Sequence, residues 1–550
     1  MKWGAFMSEV SVSTKDNASP PTPRTRRRVL GARSLRSLGA VGLLAGILTV
    51  GGSSGVVTSA GAAGGTLTIG SAFSPTTLNP LSVGQDVPFQ WFNDLAYEPL
   101  IQISQTGALV PGLATSWNYV GSGYKTFDIN LRPNVKFSDG SPLTAQGVVD
   151  WLNYDIKDGN GSTAYKFATS ITAIGPLEVQ MQLSVGNPAL PSFLSPTNDT
   201  SAYVMSDTAL NTPATLTSMS NATDGAGPYM YDPSQSTPGT DYTYIPNPNF
   251  YDPSSVYWSK IVIDIIPNQN TMLAALESGQ IDIAEGSSSV APSAASAGFK
   301  VVSAPNNLYN MDITDPGGHD SKALGSLKVR QALSLATNRK GILNALFGKY
   351  GTTDEETGGV GTAGILANRE HSIAYNVKKA KKLMKEAGYA HGFTADVLVT
   401  TTQLGVEQMV EAVAAEWKQI GVKLKITSPP PAEWVTDLVT KKWDMLAIGI
   451  PYQNLNLWLV SWASNNSFFD YYGYPYPQLT SLENELNTVA TGSKQATNIE
   501  DTLEQRIIDD GFIIPVVAQD EVLMHDSKVS NVTFTSTYPV ANPVYWTPAG

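Results

Sequence analysis

The sequence predicts an α/β protein built as two lobes of different size, and three observations carry that expectation. The chain has 550 residues, 42% of them hydrophobic, enough to bury more than one core. Runs with strand character alternate with helical patterns along most of its length. Gly (48) and Pro (35) are frequent while charged residues make up only 15%, the profile of a scaffold with many loops.

In chain order, TLTIGSAF after Gly65 alternates and is β-branched, so it reads as a first strand; the turn-rich stretch SPTTLNPLSVGQDVP then leads to the aromatic segment FQWFNDLAYEPLI. TFDINLRPNVKF alternates and contains a proline, which predicts an edge strand. The turn Ser138-Asp139-Gly140 follows, and Leu143-Thr144-Ala145 opens a helix. IVIDII is a buried-strand run, TMLAALESGQ an amphipathic helix closed by Gly279, and IDIA a further strand. This β-α-β order predicts a right-handed crossover in a largely parallel sheet. The second half repeats the alternation. VRQALSLATNRKGILNALFGK, VKKAKKLMKEAGY and EQMVEAVAAEWKQIG read as helices, the last two stopped by Gly388 and Gly421, and ADVLVTT, VKLKIT and WDMLAIG read as strands. No short-period repeat is present.

The N-terminus reads as an address. Eight basic residues precede Ala63, six of them between Arg24 and Arg36, and the apolar run Leu38 to Val50 follows. Such a run is short for a span of ~20 residues. Ala60-Gly61-Ala62 fits a small-residue cleavage site, so residues 1–62 are expected to be a signal peptide. Thr25-Arg26-Arg27-Arg28-Val29-Leu30 resembles a twin-arginine signal, and a Sec signal with a basic start is the other route. Localisation is therefore expected to be periplasmic, extracellular or at the cell envelope. Cleavage leaves 27 basic against 45 acidic residues. So acidic a chain is a poor partner for nucleic acid, whose binding draws on cations neutralising phosphates. The sequence contains no cysteine, which excludes disulfides, thiolate metal sites, cysteine nucleophiles and a lipid-modified cysteine.

Motifs for catalysis do not hold up in context. Gly359-Val360-Gly361-Thr362-Ala363-Gly364 fits G-x-G-x-x-G, but acidic, turn-like residues precede it in place of a strand, so a loop is expected. Gly51-Gly52-Ser53-Ser54-Gly55 matches G-x-S-x-G inside the signal tail. His319, His371, His391 and His525 have no metal-ligand spacing, and Asp509 and Asp510, adjacent on a helix, diverge. No cofactor and no enzymatic activity are expected. The aromatic and amide residues say more: Trp434, Trp443, Tyr452, Trp458 and Trp462 stand among Gln453, Asn454, Asn456 and Asn465 with few charges. That mixture suits stacking on an uncharged polar solute, and tryptophans also suit a core.

LAYEPLI, LVPGLATSWNY, YKTFDINLRPNVKFSDGSPLTA, GAGPYMY, YIPNPNFYDP, TMLAALESGQIDIAEG, VRQALSLATNRKGI, YNVKKAKKLMKEAGY, AVAAEWKQIGVKLKI and EWVTDLVTKKWDMLAIG follow one another over most of residues 66 to 530. Together they resemble the peptide/nickel class of extracellular solute-binding proteins, family 5, the receptors of ABC importers. The resemblance implies a two-lobe periplasmic-binding-protein-like fold, type II in its large three-subdomain variety, with a hinge and an interlobe cleft. It implies lobe 1 at 63–97 with 197–300 and 515–550, an inserted subdomain at 98–196, and lobe 2 at 301–514, two crossing strands acting as the hinge. By position it places Val83, Gly84, Gln85, Tyr165, Tyr309, Asn310, Trp434, Tyr452, Gln453 and Asn454 on the cleft. It also implies a monomer that takes a small solute, an oligopeptide or oligosaccharide, and hands it to a membrane permease.

In one place the chain departs from that pattern. Gln453, in Gly449-Ile450-Pro451-Tyr452-Gln453-Asn454, stands where peptide-binding members carry an aspartate that pairs with the peptide α-ammonium. A neutral amide cannot supply that charge pairing, which shifts the expected solute towards a sugar or another uncharged polar molecule. A secreted polysaccharide-binding hydrolase and a sensory or chaperone-like binding protein are the alternative readings.

Overall fold

In a computed structural model the chain is described over residues 64–75, 77–80, 87–158, 167–196, 203–212, 224–353, 374–401, 403–451, 455, 459, 469–535 and 541–550. The expected signal segment and the G-x-G-x-x-G string lie outside these residues.

The chain enters as β1 (Gly64–Ser71), whose Leu67 and Ile69 are fully buried. Helix α1 (Val87–Ala96) buries Trp91, Phe92 and Leu95, and β2 (Ile101–Ile103) pairs with Leu109–Pro111. Next come β3 (Ala114–Tyr119), β4 (Thr126–Leu131), α2 (Ala145–Asp158), β5 (Ala168–Gly175) and β6 (Glu178–Leu183). They build a separate antiparallel sheet in the order β3-β4-β6-β5. The segment expected at an edge, β4, is thus internal. Pro133 lies beyond its last paired residue, Leu131, next to Asn134 at φ 61°, so the proline terminates the strand and removes no ladder donor.

Strands β7 (Tyr229–Tyr231), β8 (Asp241–Pro246) and β9 (Trp258–Ile265) lead into α3 (Gln269–Glu277) and β10 (Ile283–Gly286). The Asn268 side chain caps α3 by accepting from the Thr271 N–H, and Gly279 at φ 72° ends it. Both β9 and β10 run parallel to β1 from opposite sides, so α3 carries the chain over β1. One hydrophobic cluster, from Leu67 and Ile69 through Phe127 and Trp151 to Trp546, joins this half of the large sheet to the β3–β6 sheet.

The second half is built from β11 (Lys300–Ile313), α4 (Leu327–Ala336), α5 (Arg339–Leu346), α6 (Val377–Glu386), β12 (Thr394–Val399), α7 (Val406–Trp417) and β13 (Lys423–Thr427). It continues through α8 (Pro431–Thr440), β14 (Met445–Ala447), β15 (Gly449–Pro451), α9 (Pro477–Leu486), α10 (Lys494–Asp509) and β16 (Ile513–His525). Among the described residues the large sheet has 12 strands, ten of them in the order β13-β12-β14-β11-β16-β10-β1-β9-β8-β7.

The expectation of a largely parallel sheet is corrected here. Parallel pairs occur where helices carry the chain between strands, at β9-β1-β10 and β13-β12-β14. Between them stands the long antiparallel pair of β11 and β16. Lys300–Ala304 of β11 pair with Glu521–His525, the end of β16 that also pairs with β10; Asn310–Asp312 pair with Ile513–Pro515 at the other end. Both strands therefore belong to both halves of the sheet. Register shifts fall between Pro305 and Asn307 and between Tyr309 and Asn310, where a proline without an N–H interrupts the ladder and the strand can bend.

Two clusters cover the faces of the second half. Tyr309, Met311 and Ile313 join residues of α4–α7; Leu446, Ile450 and Ile513 on the other face join residues of α8–α10. Two buried guanidinium groups tie α4 and α5 to the start of β16 and the turn before it. Arg330 donates from Nε to the Asp510 carbonyl at 2.7 Å and from Nη1 to that of Leu324 at 2.6 Å. Arg339 donates to the Pro515 carbonyl at 2.8 Å and to Ser334 Oγ at 3.0 Å. Hydrogen bonds to main-chain carbonyls and to a hydroxyl thus help to hold these buried charges. Burial pulls the Arg330 guanidinium below its usual value.

Candidate functional site

Of the ten residues placed on the cleft by position, Tyr309, Asn310 and Trp434 lie among the described residues; Val83, Gly84, Gln85, Tyr165, Tyr452, Gln453 and Asn454 lie outside them. Tyr309 and Asn310 are neighbours on β11 and so point to opposite faces.

Tyr309 is 1% exposed, and its ring meets Phe347 edge-on at 5.8 Å. Its hydroxyl donates to the Leu404 carbonyl at 2.7 Å and lies against Gln519 Oε1. The ring also fixes β15: a Cβ at Gly449 would stand 2.6 Å from the Tyr309 ring, so that position has no room for a side chain. Gln403 completes the bracket. The Gly449 N–H donates to Gln403 Oε1 at 2.5 Å and Gln403 Nε2 donates to the Gly449 carbonyl at 2.8 Å. Since β15 pairs with Asn307–Tyr309, Tyr309 and Gln403 together fix the start of that strand. Sequence reasoning missed Gln403 and the steric role of Gly449, because neither a lone glutamine nor a lone glycine carries a motif.

On the opposite face Asn310 is also 1% exposed, and neither polar atom of its amide has a hydrogen-bond partner. Asp312, two residues on, is fully buried with both carboxylate oxygens unpartnered; burial pushes its carboxyl well above the usual range. Across the sheet Asp312 faces Leu446 and Ile513, members of the cluster against which the half-buried Trp434 packs. Trp434 Nε1 is buried and likewise has no partner. Unmet buried polar atoms are uncommon in native proteins, each costing ~1–3 kcal/mol, and three side chains on one side of one half-sheet carry them here. Trp443, by contrast, is a core residue: 7% exposed, it donates from Nε1 to the Asp437 carbonyl at 3.1 Å. Among the described residues no cluster of three or more His, Cys, Asp or Glu side chains could hold a metal ion.

Two half-sheets sharing a pair of long crossing strands define a two-lobe binding protein, and solved structures of that class superpose on the chain. The binding protein DppA from Helicobacter pylori, in complex with the peptide STSA, aligns with a TM-score of 0.75 at 18% identity, covering 88% of this chain and 98% of that one. AgaA from A. tumefaciens R10, in complex with agropinic acid, aligns with a TM-score of 0.74 at 20% identity, covering 86% and 96%. In sequence, the nickel-binding periplasmic protein of Escherichia coli (strain K12) is 24% identical over 374 residues, 64% of this chain and 69% of that protein. Residues 108–475 match the bacterial extracellular solute-binding proteins, family 5 (middle region), and the chain belongs to that family. It is accordingly a solute-binding protein of the kind that serves ABC importers.

Proposed function

We propose that the protein is exported, captures a small neutral polar solute between its two lobes, and delivers it to an ABC permease without chemically changing it. The observation that carries the reading is the set of buried, unpartnered hydrogen-bonding atoms of Asn310 and Trp434, which a solute rich in hydroxyl or amide groups would satisfy. Gln453 adds to it, because an amide in the place of the peptide-anchoring aspartate favours an oligosaccharide or similar uncharged molecule over a free oligopeptide. In this reading Val83, Gly84, Gln85 and Tyr165 approach from the other side of the cleft, while Tyr452, Gln453 and Asn454 extend the surface that begins at Asn310. Tyr309 acts as the positioning residue of that loop. A solute favours the closed form only as far as it touches both lobes at once. The acidic mature chain and the basic, apolar N-terminus fit export, and a monomer is the expected state.

Equilibrium titration of the purified mature protein with a sugar panel and a peptide pool, together with mass spectrometry of whatever solute co-purifies, tests this. Saturable binding of neutral polar solutes is expected. Binding of free peptides alone overturns the solute class, and turnover of any glycan overturns the non-enzymatic reading.

A further inference from the structure

Two carboxyl groups are buried where several stretches of chain meet. Asp94, on α1, is 4% exposed, and Glu98, just beyond the helix, is 7% exposed. The Tyr203 hydroxyl donates to Asp94 Oδ1, and the Tyr251 hydroxyl donates to Glu98 Oε1 at 2.9 Å. Asp94 Oδ2 has no partner, and Asp94 lines a cavity of about 20 Å³, room for one water molecule. Gln102 and Ile103 of β2, Pro196, and Asn542 and Tyr545 near the C-terminus close that cavity. Further bonds tie the same stretches together: Gln90 Nε2 donates to the Pro196 carbonyl at 3.0 Å, the Tyr545 hydroxyl donates to the Ile103 carbonyl at 3.3 Å, and Pro99 bridges Tyr203.

The charged and titratable groups facing the pair are few. Glu98 and Tyr203 face Asp94, with Tyr545 close to both acids; Arg132, Asp252 and Tyr251 face Glu98. Arg132 is the one cation among them, and it lies over the Tyr251 ring at 4.5 Å while donating from Nε to the Gly112 carbonyl at 3.1 Å. Two ionised carboxylates at this junction would therefore share one guanidinium already committed elsewhere. A protonated Asp94, by contrast, accepts from Tyr203 on Oδ1 and donates from Oδ2 to a water in the cavity, leaving nothing unmet.

We propose that Asp94 and Glu98 form a proton-operated clasp that holds α1, β2 and the C-terminal stretch together in acid and loosens them when both acids ionise. Burial pushes both carboxyls up to about 7, from ordinary values of 3.8 and 4.5. For a carboxyl raised in the folded state, stability is full below its ordinary value and falls as pH rises to the folded one, so the stability contributed by the clasp declines between about pH 4 and 7, and the pair itself ionises near 7.

Hydrogen exchange of the full mature protein, followed by mass spectrometry and corrected for the intrinsic pH dependence of amide exchange, tests the clasp. Protection of α1, β2 and residues 541–548 is expected to fall by up to about tenfold per pH unit for each group through that window. In the double variant Asp94→Asn, Glu98→Gln, whose amides imitate the protonated acids, protection of these stretches should stay flat. Equal pH dependence in both proteins overturns the proposal. Should the variant not fold, infrared spectroscopy of the wild type decides: a carboxylic acid C=O band persisting at about pH 6 and lost above neutrality supports the clasp, and its absence at pH 6 overturns it.

Discussion

Gln403 and Gly449 bond each other twice, the side-chain amide of one pairing with the main-chain amide of the other at 2.5 and 2.8 Å. The pair works as a one-residue strand, holding the start of β15 against the Tyr309 ring. Gln403→Ala removes both bonds, and a loss of ~1–3 kcal/mol in urea unfolding is expected. Gly449→Ala drives a methyl group into the ring and should cost ~1–3 kcal/mol by overpacking. If β15 leads into the solute-binding loop proposed above, weaker solute binding should accompany both changes.

Trp434→Ala tests the stacking surface directly. Solute affinity is expected to weaken by ~1–3 kcal/mol in calorimetric titration, with far-ultraviolet circular dichroism unchanged. Unchanged affinity would assign Trp434 to packing.

Asn310→Leu should separate stability from binding. Its amide has no partner without solute, so an apolar residue of similar size removes a buried polar cost of ~1–3 kcal/mol. The expected result is a protein at least as stable in urea that has lost solute affinity. Lower stability with intact binding would mean that Asn310 serves the fold.

Asp312 predicts a pH effect of defined sign. Its carboxyl is raised by burial, so the folded state favours the protonated form and its ionisation weakens the fold as pH rises. Asp312→Asn should therefore gain on the wild type from acid towards neutral pH, read as a widening difference in urea midpoints. A constant difference would refute that assignment.

Arg339→Ala removes a guanidinium that binds the Pro515 carbonyl and Ser334, leaving buried acceptors unmet. A loss of about 3 kcal/mol in urea unfolding is expected, at the upper end for bonds to a charged group.

Local structure was largely legible in the sequence because its signals are themselves local. Gly279 ends α3 and Gly388 follows α6 as the helical patterns imply, and Gly421 caps the 3-10 turn Lys418–Ile420 that continues α7. Relations between distant segments were not. No feature near Lys300 announces a partner at His525, so the antiparallel pair inside an otherwise βαβ-like pattern had no local trace. The proline after β4 was indistinguishable from one within it. The family pattern placed Tyr309 and Asn310 together, but only the strand's alternation separates the ring that positions a loop from the amide with unmet bonding capacity.

The shared pair of crossing strands also has a consequence for how the chain comes into being. The last long strand to leave the ribosome, β16, lies at the centre of the sheet, and His525 pairs with Ile283, made 242 residues earlier. Neither half-sheet can be completed until that strand arrives, and contacts so distant in sequence form slowly. Truncation before Ile513 should consequently leave both halves open to protease, where loss of a self-contained lobe would leave one resistant. Such a fold closes only when synthesis of the chain is nearly done.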